Sequence, residues 1–163
     1  MLDIEPIATD EWRVYRDLRL AALADAPRAF GARLETERGR GESEWRERLV
    51  ERTQFVALAD GRRPVGTVGA RPGGDRHTEL VSMWVAPEAR RTGVADRLVA
   101  AVIEEARVRG SDGVVLWVSE GNEPAERLYA RHGFARTGRI QPIDDDDPAR
   151  GTEFEMRLPA IPA

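Results

Sequence analysis

Apolar residues recur along this chain with two different periods, and the switches between them mark its elements. Leu2 to Ala8 reads as a first strand. From Asp10 to Ala24 the apolar positions Trp12, Tyr15, Leu18 and Ala22 fall at helical spacing, with Thr9 or Asp10 as the expected cap and Pro27 just past the end. Ala26 to Gly41, which holds Pro27, Gly31, Gly39 and Gly41, reads as a loop with some helix, and Ser43 to Thr53 as a short helix. Three strands follow: Gln54–Ala59, Pro64–Ala70 and Thr78–Val85. Asp60-Gly61 is a hairpin signal between the first two, and the glycine-rich stretch Arg71 to Asp75 turns the chain again. Val94 to Arg109 carries the clearest amphipathic stripe, with Leu98, Val99, Val102 and Ala106 on one face and Gly110 as its stop. Gly113–Ser119 reads as a buried strand and Asn122–His132 as a helix that accepts Pro124 in its first turn. Phe134–Ile140 and Thr152–Leu158 read as closing strands.

The order is strand, helices, an antiparallel meander, a strand–helix–strand crossover, a helix and a final hairpin. It predicts one α/β domain over residues 1–163, with a central mixed, mostly antiparallel sheet flanked by helices.

The stretch Arg90-Arg91-Thr92-Gly93-Val94-Ala95 joins the third meander strand to the long helix. A helix start leaves N–H groups without intrahelical acceptors, and phosphates bind there readily. With two arginines beside it, this turn predicts a ligand that carries phosphate. The spacing alone is equally consistent with a helix start that needs small residues for packing.

Composition narrows the chemistry. The chain has 163 residues, 29 acidic against 25 basic, and a net charge of −4, which disfavours nucleic acid as a partner. It holds no cysteine, so no thiol nucleophile, disulfide or thiolate metal site is available. It holds no lysine either: the basic residues are all arginine, which removes Schiff-base chemistry and the lysine of a Walker-type nucleotide site. With only His77 and His132 as imidazoles, no metal is expected. No apolar run reaches the length of a membrane span and Met1 to Glu5 lacks the pattern of a signal peptide, so the expectation is a cytoplasmic protein with no membrane partner.

Two segments then carry a family resemblance. Glu79 to Ala95, with Arg-x-x-Gly-x-Ala at its end, resembles the acetyl-CoA-binding motif of the GNAT superfamily of N-acetyltransferases. Asn122-Glu123-Pro124-Ala125-Glu126-Arg127-Leu128-Tyr129-Ala130-Arg131-His132-Gly133-Phe134 resembles that superfamily's Asn-x-x-Ala-x-x-Leu-Tyr-x-x-x-Gly-Phe segment position for position. Ala95 stands where glycine is more usual. The resemblance implies a GNAT-like acyltransferase fold and transfer of an acetyl group from acetyl-CoA, as co-substrate, to a primary amine of a small molecule or peptide. Attack is direct, in a ternary complex, in keeping with the absence of cysteine. A homodimer follows from family analogy alone.

The resemblance also implies roles. Backbone groups of Met83, Trp84 and Val85 would hold the pantetheine arm, and the amides from Arg91 through Thr92, Gly93, Val94 and Ala95 to Asp96 would hold the pyrophosphate, with Arg90 and Arg91 adding charge. Gly93 and Ala95 keep side chains out of the way. A backbone N–H near Val85 is a candidate oxyanion donor, while the Asp96 carboxylate reads as a cap or as solvent-facing. Tyr129 is the candidate general acid for the leaving thiolate, a role the resemblance implies; spacing alone favours a core tyrosine beside Ala125. Asn122 caps its helix, contacts the pantetheine arm, or does both. Glu79 and His77 share a strand face and are the candidate bases, or else lie at an exposed strand start, and Ser82 is a weaker candidate on the other face. The acidic run Asp144-Asp145-Asp146-Asp147 either borders the acceptor site, drawing a cationic acceptor, or is a solvated loop. Phe30, Glu35 and Glu37 are candidates for the opposite acceptor wall. The alternatives to transfer are a CoA or acyl-CoA binding module without activity and another nucleotide-dependent enzyme built on the same turn.

Overall fold

Strand β2 (Thr53–Ala59) shows how the sheet divides the molecule. Its side chains alternate between two cores: Phe55 and Ala57 enter one, Val56 and Leu58 the other. The first core lies under α4 (Val94–Val108) and α5 (Glu123–Arg131), and Leu98, Val99 and Val102 of α4 are fully buried in it. The second lies under α1 (Trp12–Asp25) and α3 (Glu42–Glu51), where Tyr15 and Trp45 meet edge to face at 5.4 Å. The computed structural model describes residues 1–27 and 29–163; residue 28, inside the expected first loop, lies outside the described residues.

Seven strands stand in the order β1-β2-β3-β4-β5-β7-β6. They are β1 (Asp3–Pro6), β2, β3 (Arg63–Pro72), β4 (His77–Val85), β5 (Gly113–Ser119), β6 (Ala135–Pro142) and β7 (Thr152–Leu158). Every pairing is antiparallel except β4 with β5, joined through α4 by the expected crossover. A feature that element order alone does not reveal is the place of β7, which inserts between β5 and β6. Its alternation puts Phe154, Met156 and Leu158 into the α4/α5 core and turns Glu153, Glu155 and Arg157 to the other face. There α1 and α3 do not cover the sheet, so this half of that face is polar. Among the described residues no helix is long and apolar enough to cross a membrane.

Some expected details differ. Neither Thr9 nor Asp10 caps α1: a single tight turn, Thr9–Glu11, precedes it, and the Glu11 carboxylate reaches back to the Ala8 N–H at 3.1 Å. A carboxylate serves the free amide as well as a hydroxyl would. The expected first loop contains a short helix, α2 (Leu34–Arg38), and α3 starts from Gly41 rather than Ser43. Asp60-Gly61 does make the hairpin turn, with Gly61 at φ +71°.

Candidate active site

β4 and β5 pair over three residues only, His77–Glu79 against Gly113–Val115, and then part. The cause lies in β4. Its register against β3 slips between Trp84 and Val81, and Ser82 sits at φ +56°, a backbone bulge that a non-glycine residue adopts at a cost. The bulge adds twist and turns the end of β4 away from its parallel neighbour. A cavity of about 610 Å³ opens there, within the range of roughly 300–1,000 Å³ typical of small-molecule sites. Leu80–Met83 form one lip, Trp117–Ser119 the other, and Asn122, Ala125, Leu128 and Tyr129 of α5 line it beside β5.

The phosphate turn stands at the far end of β4. Gly93, at φ +87°, is the residue before α4, and Arg91 adopts φ +64° just before it. Thr92 Oγ1 donates to the Ala89 carbonyl and holds the turn. Gly93 is therefore required by backbone conformation as well as by access to the helix amides. Gly93→Val, β-branched at a positive φ, is expected to weaken acetyl-CoA binding by roughly tenfold or more. Calorimetric titration, with thermal unfolding to show the variant folded, checks this.

The backbone at the lip is more selective than the resemblance implied. The Ala86 N–H donates to Val65 O at 2.8 Å and Trp84 pairs with Thr67. By the alternation of an antiparallel ladder, Val85 then turns its N–H and carbonyl away from β3, toward the opening. Its carbonyl accepts from Arg90 Nε at 3.1 Å. Trp84 is occupied on the β3 side, and its indole N–H donates to Asp25 at 3.0 Å. Of the expected pantetheine strand, Met83 lines the cavity and Val85 faces the gap, while Trp84 is a core residue.

Two of the expected phosphate-side charges are committed elsewhere. The Arg90 guanidinium is bound to Asp25 at the end of α1, and together with the Trp84 N–H it holds that carboxyl below its usual range. Asp96 neither caps α4 nor faces solvent freely. It ties α4 to α5, accepting from Arg131 at 3.1 Å and meeting His132 Nε2 at 2.9 Å. Burial raises its carboxyl, and these two partners more than reverse that. Arg91 makes no ion pair among the described residues, so its charge is available beside the turn.

Tyr129 is 5 % exposed, packs against Phe134 at 5.9 Å between ring centres, and lines the cavity. Burial pushes its phenol far above the ordinary tyrosine value. Asn122 also lines the cavity while its Oδ1 accepts the Ala125 N–H at 3.3 Å, so it caps α5 and faces the site at once.

The expected bases fare differently. His77 closes the β3–β4 turn, its Nδ1 against the Asp75 carbonyl at 2.8 Å, and does not line the cavity. Glu79 does not line it either and is held by Arg71 at 3.1 Å. Ser82 lines the cavity and receives Arg19 Nη1 at 3.2 Å. Of the strand carboxylates, the one that lines the cavity is Glu153 of β7, opposite Ser119 of β5. Burial raises its carboxyl, and repulsion from Glu79 adds to this against a 2.8 Å hydrogen bond from Gln141. The only sequence signal for Glu153 was its alternation with buried Phe154, which means nothing until β7 is known to lie beside β5.

The first loop lines the cavity and is tied to the acidic run, in which two of the four carboxylates pair with arginines. Asp144 and Asp147 take Arg33 at 2.9 and 3.1 Å, and Arg150 reaches Asp144 at 3.4 Å. Hydrogen bonds from the Asp146 N–H, then from these arginines, hold the Asp144 carboxyl low. Half of the acidic run, Asp144 and Asp147, is thus committed to arginines. Arg150 also donates to the carbonyls of Pro27, Phe30 and Gly31 at 2.7–2.9 Å, pinning the first loop to the last hairpin. Phe30 and Glu37 line the cavity; Glu35 is exposed and does not. For the transfer chemistry that the family resemblance implies, Arg150→Ala is expected to raise the acceptor's KM about tenfold by freeing this wall, with the KM for acetyl-CoA within a factor of about two. Initial-rate kinetics in both substrates reads the difference.

Known proteins match this architecture. The model of the Acetyltransferase (GNAT) family matches residues 12–134. GCN5-related N-acetyltransferase 6, a chloroplastic protein of Arabidopsis thaliana, is 34 % identical over 76 residues, 45 % of this chain and 26 % of its own length. N-acetyltransferase 8B of Rattus norvegicus is 36 % identical over 93 residues, 54 % of this chain and 42 % of its own. The chain thus spans less than half the length of these relatives. A GNAT-family acetyltransferase from Streptococcus pneumoniae superposes with a TM-score of 0.80 over 97 % of this chain and 98 % of its own, at 17 % identity, a likeness of fold.

Proposed function

The chain belongs to the acetyltransferase (GNAT) family, and from that premise we propose that it transfers the acetyl group of acetyl-CoA to a primary amine. The observation that carries the reading is the gap where β4 leaves β5, bounded at one end by free helix amides and lined by a buried phenol and a raised carboxyl. The amides from Arg91 to Asp96 take the diphosphate, with the charge of Arg91 beside them. Met83 and Val85 align the pantetheine arm along the lip of β4. The Val85 N–H is placed for the oxyanion that forms when nitrogen attacks the thioester carbonyl.

Glu153 serves as the base. The amine arrives mostly protonated, and Glu153 takes a proton from it directly or through one water. A raised carboxyl is the better acceptor, because its proton affinity lies closer to that of the group it serves. As the tetrahedral carbon collapses, the carbon–sulfur bond breaks and Tyr129 donates to the departing sulfur. Attack is direct, and no protein thiol exists to carry the acetyl group. Residues 1–163 act as one such domain in this reading.

Release of free CoA thiol, followed over a panel of amines at saturating acetyl-CoA, tests the proposal. Amine-dependent release supports it. Binding of acetyl-CoA with no release for any amine favours the binding module instead, and a larger thermal shift with ATP than with CoA favours a different nucleotide enzyme.

A further inference from the structure

The acceptor side of the cavity is rich in arginine and poor in carboxylate. Arg19, Arg40, Arg48, Arg52 and Arg71 line it. Three of them share one anion: the buried Glu37 carboxylate takes Arg48 at 2.9 and 3.0 Å, Arg19 at 3.4 Å, and Arg40. Arg71 is balanced by Glu79. Arg52 has no ion-pair partner among the described residues, and its Nε is buried without a hydrogen bond there. Burial first, then the charges of Arg71, Arg48 and Arg19, press its guanidinium downward, with Tyr15 acting the other way. A buried donor left unpaired beside like charges is costly, and an oxyanion entering the cavity removes both costs.

The coenzyme's own phosphates do not account for this cluster. Arg71 pairs with Glu79 near the start of β4, whereas the phosphate turn follows Val85 at its end, about 20 Å away along the strand. Glu153 lines the same cavity as a carboxylate with no arginine partner among the described residues, near enough to Glu79 to feel its charge. The cavity thus offers an unpaired guanidinium for an anion and an unpaired carboxylate for an amine.

The geometry points to an acceptor that carries an oxyanion as well as its amine, the oxyanion bound at Arg52 beside Arg48 and Arg71 and the amine presented to Glu153. This rests on the acetyltransferase reading above. It replaces the cationic acceptor that the run Asp144–Asp147 suggested.

The test uses matched amines at saturating acetyl-CoA: glycine, β-alanine and γ-aminobutyrate against their carboxamides, aminoethylphosphonate as a phosphonate arm, and putrescine and spermidine as a polycation arm. At least one acid is expected to exceed its carboxamide in kcat/KM by about 100-fold. In Arg52→Gln that ratio should fall to within about threefold of one, while the KM for acetyl-CoA changes by less than about twofold. A wild-type reading needs no variant: butyrate should compete with the amine and not with acetyl-CoA, and butyramide should do neither. A phosphonate preferred over every carboxylate supports the inference and identifies a phosphate-like anion. Preference for carboxamides or polycations overturns it and leaves acetyl transfer standing. Acetyl-CoA binding without thiol release for any amine overturns both.

Discussion

Tyr129→Phe is expected to lower kcat by roughly 10²–10⁴-fold while changing the acetyl-CoA dissociation constant by less than about threefold. The ring is what packs: it lies against Phe134 in the core under α4 and α5, and phenylalanine keeps that contact. In the proposed mechanism the substitution removes the proton that the departing sulfur receives. An ordinary phenol, near pKa ~10, is a weaker acid than an ordinary thiol near ~8.5, so the transfer is uphill in water. Burial raises the phenol further, but the same dry wall raises the proton affinity of a thiolate formed beside it. The phenol therefore stays neutral through the working range and acts as a donor to developing charge. A further consequence is that kcat shows no alkaline limb in the ordinary tyrosine range. Single-turnover kinetics isolates the chemical step; an unchanged rate would remove Tyr129 from it.

The second large effect is at Glu153. Glu153→Gln should lower kcat/KM for the amine by roughly 10²–10⁴-fold, with acetyl-CoA affinity nearly unchanged. The sign of the pH dependence follows from the direction of the shift. Burial and Glu79 raise this carboxyl, and the base works only when deprotonated, so activity falls as pH drops through a value above the ordinary carboxylate range. In the glutamine variant that limb disappears from the residual activity. Stability moves too. A carboxyl raised in the folded state binds its proton more tightly there than in the unfolded chain, so its contribution is full below the unfolded value and is lost as pH rises through the folded one. Glutamine, which cannot ionise, escapes that loss, and the variant should be no less stable than the parent at neutral pH. A pH–rate profile beside thermal unfolding separates a base from a structural carboxylate.

The two residues differ in how far the sequence reveals them. Tyr129 sits at helical spacing with Ala125 and Leu128 in a segment of strong family resemblance, and α5 delivers it to the cavity. The α4 stripe and β7 were equally plain, because burial on one face imposes a period that survives in a single sequence. Glu153 is one acidic residue in a strand that alternates charged and apolar. The role proposed for it depends on β7 inserting between β5 and β6, which local periodicity does not encode. Ser82 was legible as a face position but not as a bulge, since nothing in Val81-Ser82-Met83 announces a positive φ. Charges were the least legible. Arg90, Asp96, Glu37 and Asp144 each find partners more than ten residues away, and a guanidinium on a carboxylate is no longer free for a ligand. The acidic run looked like bait for a cation, yet two of its four carboxylates are held by arginines, and the cavity itself is lined by more arginines than carboxylates.

The most direct measurement is calorimetric titration of the folded protein with acetyl-CoA. Saturable binding is expected at one site per chain, weakened by Gly93→Val at the turn before α4. Absence of binding, by a sample whose cooperative unfolding shows it to be native, would contradict the assignment of the β4–β5 gap as a coenzyme cleft.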